Sequence, residues 1–367
     1  MKPIKLKLKT LTPIAIGDGE TISNITDYYI EDSKVHYINQ EKIRLFFKAN
    51  PELIDKFVTI TLLSQDNNRS KIHFKNDILL SLMQVNPLDY VSNIVPASGL
   101  SDKDKIQIKT IIKTAGRPFI PGSSIKGAIK SAMLYDWLTE IDEGKRFLND
   151  IIKSLNENRF NKSTISNDIS KQLKNFAIDA GDEKKFASML KISDTNCVDS
   201  GKIAIYHTSR LHLTNTNRQG NIPIVTEAIS PDCELDFFFE NAINDYDDVE
   251  NLMDIVTRFY QSVLWYEWDT LKENRGLKKD HLENLEKKFN LIEWYIQKNE
   301  DKMYLRVGSG KSNFNQSIGL ALYDIDKAAF KKYRKLLKIG EAESKYFPVT
   351  RSIITNTWQQ LGWVEIL

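Results

Sequence analysis

The chain has 367 residues, 41% of them hydrophobic and 27% charged, the balance of a globular protein large enough for two domains or for one with a sizeable insertion. A net charge of +2 argues against a whole-molecule field that gathers nucleic acid, and no apolar run approaches the ~20 residues a membrane helix needs. The cysteines, Cys197 and Cys233, form no CxxC pair and have no neighbouring histidines, which argues against a disulfide scaffold or structural zinc and fits a reducing cytoplasm.

The opening MKPIKLKLKTLTPI alternates lysine with isoleucine and leucine, which reads as a strand rather than a signal peptide. This first strand is expected over Lys5–Ile16, ending at a Gly17-Asp18-Gly19 turn. Asp27–Ile30 and Lys34–Ile38 flank Glu31-Asp32-Ser33 and predict a hairpin. A helix follows over Gln40–Asn50, closed by Pro51, and the stretch of about 40–113 reads as an insertion of short helices and loops. Pro118–Ser124 leads into a helix whose Ile125, Ala128, Ile129, Ala132 and Met133 share one apolar face, with Ser123 or Ser124 as the expected N-cap. Residues of about 139–190 are strongly polar and read as a second, helical insertion.

From Lys191 the pattern turns to strands, at Lys202–His207, Arg210–Leu213 and Glu234–Phe239. Helices are expected over Asp247–Leu271, where Phe259, Tyr260, Trp265, Tyr266 and Trp268 read as core, and over Lys279–Gln297. A strand at Met303–Val307, a helix or strand at Ser317–Tyr323, a basic helix at Lys327–Leu337 and a tail at Trp358–Leu367 complete the chain. This order predicts an α+β protein built from units of ferredoxin type with helical insertions, divided into residues 1–195 and 196–367 near 190–200.

Two basic, glycine-containing segments invite a chemical reading. VGSGKSNF (Val307–Phe314) resembles the heart of a P-loop, yet the glycine needed five positions before Gly310 is Leu305, so nucleotide hydrolysis is not expected. A phosphate contact through Gly308, Ser309, Gly310, Lys311 and Arg306 stays open beside the plainer reading of a turn with a solvent lysine. Gly122, Ser123 and Ser124 ahead of a helix would offer free N–H groups to a phosphate, and Lys126 and Lys130, four apart, share the adjoining face. The plain alternative is capping and packing, with Gly127 letting the helix approach the sheet. Lysine and arginine also cluster over residues 102–130 and 327–351, as solvated faces or as phosphate-contacting surface.

Catalysis has less support. His36, His73, His207, His212 and His281 are scattered, and His207 and His212, five apart on strands, fall on opposite faces. Asp18, Glu20 and Asp27 near the first strand form no paired carboxylate motif and suit turn capping better. No catalytic residue, metal site or cofactor is expected.

LTPIAIGDGE (Leu11–Glu20), PFIPGSSIKGAIKSAML (Pro118–Leu134) and RVGSGKSNFNQSIG (Arg306–Gly319) resemble the RAMP superfamily of CRISPR proteins. ISDT (Ile192–Thr195), TEAISPDCELDFFF (Thr226–Phe239), FPVTRSI (Phe347–Ile353) and LGWVEI (Leu361–Ile366) resemble, within it, the subunit that caps the head end of the type III-A Csm effector complex. The resemblance implies two ferredoxin-like (RRM-like) domains with helical insertions and binding of the 3′ portion of a CRISPR RNA. It also implies contact with the backbone RAMP subunit and other Csm subunits, support for guide maturation in antiviral defence, and no enzymatic activity. Asp27 departs in context from the backbone subunit's cleaving aspartate, so that role is not carried over. A RAMP-type endoribonuclease that processes CRISPR RNA is the alternative.

Overall fold

The computed structural model describes residues 3–63, 73–97, 99–100, 107–161, 163–165, 167, 169, 190–213, 224–241, 249–274, 277–299, 301–315, 318–341, 343–344 and 346–367. The chain opens with strands β1 (Ile4–Thr10), β2 (Gly17–Ser23), β3 (Tyr28–Glu31) and β4 (Lys34–Ile38). Helices α1 (Gln40–Ala49) and α2 (Ile54–Leu63) and a π-type helix (Phe74–Leu82) lead to β5 (Val91–Pro96), β6 (Gln107–Ile111) and the small hairpin of β7 (Lys113–Thr114) and β8 (Arg117–Pro118). Next come α3 (Gly122–Glu140), α4 (Asp142–Asn156), β9 (Leu190–Ile192), β10 (Ile203–His212), β11 (Ile224–Ile229) and β12 (Glu234–Asn241). The C-terminal part holds α5 (Val249–Lys272), α6 (Lys279–Lys298), β13 (Met303–Arg306), α7 (Gly319–Ile325), α8 (Lys327–Leu337), β14 (Thr350–Ile354) and β15 (Trp363–Ile366).

The alternating lysines of β1 set the first sheet. Leu8 and Thr10 turn inward while Lys5 and Lys7 face solvent, as a period of two requires. Across the strand pair, Lys5, Lys7 and Lys9 reach Asp236, Glu234 and Asp232 at 2.7, 3.6 and 3.2 Å. The sheet runs β13-β15-β1-β12-β9 and is antiparallel throughout. With β15 set aside, β1-α3-β9-β12-α5-β13 is the βαββαβ path of a ferredoxin-like unit, and the C-terminal strand has entered between its last and first strands. The protein is α+β, as expected.

The second sheet runs β14-β10-β11-β6-β2, with β11 and β6 its parallel pair. A third, β3-β4-β5, has a core on each face, though β5 leaves Ile94 exposed. Tyr28, Ile30, Val35 and Val95 pack toward Ile108, Ile203, Ile205 and Val225 of the second sheet. Tyr29 and Ile38 face the other way and share a separate core with Ile43, Phe47, Phe74, Ile78 and Leu79.

Several expectations shift. Gly17-Asp18-Gly19 opens β2 instead of forming a turn; a register irregularity before Thr21 accommodates Gly19 at φ 93°. Residues 40–113 do carry short helices, but they also supply β5 and β6. The inserted helices enter after Ile38 and leave before Val91, which pair with each other, so the closed insertion is residues 39–90. α4, in the polar stretch, is amphipathic and buries Phe147, Leu148, Ile151 and Leu155; residues 170–189 of that stretch lie outside the described residues. Lys202–His207 and Arg210–Leu213 join in one strand, β10. The boundary expected near 190–200 cuts through both five-stranded sheets, each of which takes strands from either side of it.

Candidate nucleic-acid interface

Strand direction brings the family-like segments together. β1, β9 and β13 all run the same way in the first sheet, so Leu11–Ile16, Ile192–Thr195 and the glycine loop leave it at one end. α3 starts at that end. The Asn313–Asn315 turn after the glycine loop packs against it.

At the start of α3 the anion site of the helix is already occupied. The Gly122 N–H donates to the Asp194 carboxylate at 2.8 Å, and the Ile120 N–H to the Thr195 hydroxyl at 2.9 Å. The helix begins after Pro121 without a side-chain cap from Ser123 or Ser124, which corrects the expected N-cap. The positive end of the helix dipole faces the Asp194 carboxylate. Gly122 is required there: a Cβ would sit 2.3 Å from the Ile192 carbonyl oxygen. Gly127 is different. It is exposed, and a Cβ would meet nothing within 4 Å, so it does not serve close approach to the sheet.

What α3 offers outward is its flank. Ser123, Lys126, Gly127 and Lys130 fall at helical spacing on the side opposite the buried Ile125, Ala128, Ile129 and Ala132. Burial, with Lys130 as a second cause, holds the Lys126 ammonium below the ordinary lysine pKa. A cation in that state gains when an anion arrives.

The glycine loop is anchored on two sides, and one of its partners, Gly362, is itself held in place. The Ser309 N–H donates to the Ala15 carbonyl at 2.7 Å, the Val307 N–H to that of Gly362 at 2.8 Å, and the Gly362 N–H to that of Pro13 at 3.0 Å. Gly308, at φ 69°, lies so close to the chain after β1 that a Cβ would be 2.4 Å from the Ala15 oxygen. Gly310 also has a positive φ, 88°, so the loop alternates two left-handed glycines with residues of negative φ. Among the described residues the N–H groups of Gly308, Gly310 and Lys311 have no hydrogen-bond partner, and no carboxylate pairs with Lys311 or Lys130. Burial, and to a smaller extent Arg306, hold Lys311 below the ordinary lysine pKa. No helix starts at Lys311 or Ser312, as a P-loop would require.

Arg306 is not part of this surface. It is 1% exposed, its Nη1 lies 3.3 Å from Glu267 Oε2, and its Nε donates to the Leu361 carbonyl at 2.9 Å. β13 is buried along its whole length, so the arginine had no solvent face to point to. Part of the basic 327–351 cluster is engaged within the chain: Lys331 pairs with Glu343 at 2.6 Å on the surface, Lys332 reaches the Asn156 carbonyl, and Arg334 the carbonyls of Glu341 and Ser344, while Lys327 and Lys338 are exposed.

The carboxylates and histidines are dispersed. Asp18 accepts from Thr110 Oγ1 at 2.6 Å, and Asp27 from the Ser23 N–H at 2.8 Å. His36 stacks on Tyr29 with ring centres 4.6 Å apart, and His281 lies against Trp358 at 4.5 Å. His207 and His212 share β10 on opposite faces. Among the described residues no three metal-ligating side chains cluster, and no helix is long and apolar enough to cross a membrane.

Known proteins share this plan. A protein of Methanocaldococcus jannaschii named CRISPR system Cms protein Csm5 is 27% identical over 99% of this chain and 88% of its own. The Streptococcus thermophilus protein of that name is 26% identical over 64% of this chain and 63% of its own. A chain in the cryo-EM structure of a Csm-crRNA-target RNA ternary complex of a type III-A CRISPR-Cas system superposes over 100% of both chains with a TM-score of 0.62 at 22% identity. The crystal structure of T. onnurineus Csm5 superposes over 98% of this chain and 99% of that one, with a TM-score of 0.62 at 20% identity. The model of the RAMP superfamily matches residues 7–314. That match begins in β1 and ends in the turn after the glycine loop, taking in both halves of the candidate interface, and the chain belongs to the RAMP superfamily.

Proposed function

We propose that this chain is the RNA-binding subunit that caps the head end of a type III-A CRISPR effector complex. It holds the 3′ portion of a guide RNA, meets the backbone RAMP subunit and other Csm subunits, and supports guide maturation and antiviral defence without catalysing a reaction itself. One observation carries the reading: the Ser123–Lys130 flank and the Gly308–Lys311 loop present ammonium groups and free N–H donors at the same end of the ferredoxin-like sheet. The relatives named Csm5 and the fold shared with a chain of a guide-bound complex support it. Donors of this kind address phosphate oxygens, so the contact is expected to hold RNA without reading its sequence.

The test is RNA binding at several salt concentrations. Lys126→Ala, Lys130→Ala and Lys311→Ala should each weaken binding about equally for unrelated sequences and flatten the log–log salt slope by roughly 0.7, the value for one contact on a single strand. Unchanged affinity and slope in the folded triple variant would leave the cap held by protein contacts alone.

A further inference from the structure

Beneath the glycine loop lies a buried carboxylate that cannot itself touch RNA. Glu267, on α5, is 1% exposed. Its Oε2 accepts from Gln360 Nε2 at 2.8 Å and lies 3.3 Å from Arg306 Nη1, while Gln360 Oε1 accepts from Trp363 Nε1 at 3.1 Å. The Arg306 guanidinium forms the floor of the loop: a Cβ on Gly310 would lie 3.4 Å from its Nη2. Burial alone works to raise the Glu267 pKa, but the guanidiniums of Arg306 and Arg351 bring it below the ordinary carboxylate value, so it stays charged. A fixed negative charge close under a phosphate site weakens anion binding unless it serves another end.

Building on the phosphate-contact reading, we propose that Glu267 is a positioning residue for RNA. It holds Arg306 against Gly310 and the Leu361 carbonyl, and so keeps the Gly310 and Lys311 N–H groups and the Lys311 ammonium aimed together at one phosphate. Arg306 shapes the loop, and Glu267 cancels the charge that this buried guanidinium would otherwise carry alone.

The sign of one substitution separates positioning from simple electrostatics. Glu267→Gln keeps the side chain's shape and removes the negative charge, so electrostatics alone predicts tighter binding. Positioning predicts the reverse: poly(U) RNA binding to the full chain weakens about tenfold, the order of one lost charged hydrogen bond. The salt slope should flatten by roughly 0.7 at a temperature where the variant is fully folded. In a Lys311→Ala background the same change should alter affinity by less than about twofold, because both act on one contact. Gln360→Met, which withdraws only the amide, should give a smaller loss in the same direction and tests the claim if Glu267→Gln does not fold. Unchanged or tighter binding in either variant overturns the proposal, as does an equal loss with and without Lys311. If Lys311→Ala itself binds normally, the loop does not contact RNA and the proposal falls with that reading. A normal Glu267→Gln beside a weakened Lys311→Ala removes the proposal alone.

Discussion

Glu227 has no exposed surface, yet three donors reach it. The Tyr37 hydroxyl lies at 2.5 Å, the Ile111 N–H at 3.0 Å and the Lys113 ammonium at 2.7 Å. Tyr37 belongs to β4 and Glu227 to β11, so these bonds tie the third sheet to the second. Burial, then the neighbouring Glu227 charge, push the Tyr37 hydroxyl pKa far above its usual value, which keeps it a donor. Glu227→Ala would strand the ammonium, the hydroxyl and the amide together, and should cost about 3–5 kcal/mol, the range for breaking a buried ion pair. Tyr37→Phe removes a single bond to a charged group and should cost roughly 1.5–3 kcal/mol. Urea midpoints with unchanged m-values measure both. A Glu227→Ala variant as stable as the parent would mean that the sheets are held by apolar packing alone. Arg306 makes the companion point, because its residue type promised a phosphate contact and its place in a fully buried strand made it a support.

At the scale of elements, the two glycines of α3 separate packing from access. Gly122→Ala drives a Cβ into the Ile192 and Ser193 carbonyls and should cost about 1–3 kcal/mol, as overpacking does. Gly127→Ala meets open space in a helix interior and should gain up to about 1 kcal/mol. If RNA lies on this flank as proposed, the added methyl would crowd it, so binding should weaken while the melting temperature rises. Equal destabilisation by both changes would refute this division. The sequence made some of this legible. α1, α5, α6 and α8 fall within a few residues of expectation because their apolar faces are long, and α1 and α8 also carry side-chain caps at Asn39 and Asp326. β2 and β6 were missed because one is glycine-interrupted and the other alternates over too few residues. The Asp194 cap on α3 stands 72 residues from Gly122, and no local pattern points across such a gap. ISDT and PGSS were both visible; that one caps the other was not.

For the whole molecule, the path of the chain decides what can fold alone. In residues 1–195, β1 and β9 are not neighbours, because β12 lies between them, and the second sheet keeps only β2 and β6. Residues 196–367 lose the strand that joins β15 to β12. The contacts that cross the cut are also specific: Thr10 Oγ1 donates to the Ser230 carbonyl at 2.9 Å, and the Leu11 N–H to that of Trp363 at 2.9 Å. Each half would expose unpaired strand edges and one side of the shared core, a state prone to aggregation. Expressed separately, neither half should show a cooperative thermal transition by circular dichroism. The insertion should behave in the opposite way. Ile38 and Val91 are paired antiparallel neighbours, so residues 39–90 can be replaced by an Asn-Gly hairpin turn without cutting either large sheet. That replacement uncovers Tyr29 and Ile38 and should lower stability, yet a single cooperative transition should remain. A cooperative melt of residues 1–195 alone, or none after the replacement, would show that the chain is divided where its sequence changes character and not where its sheets close.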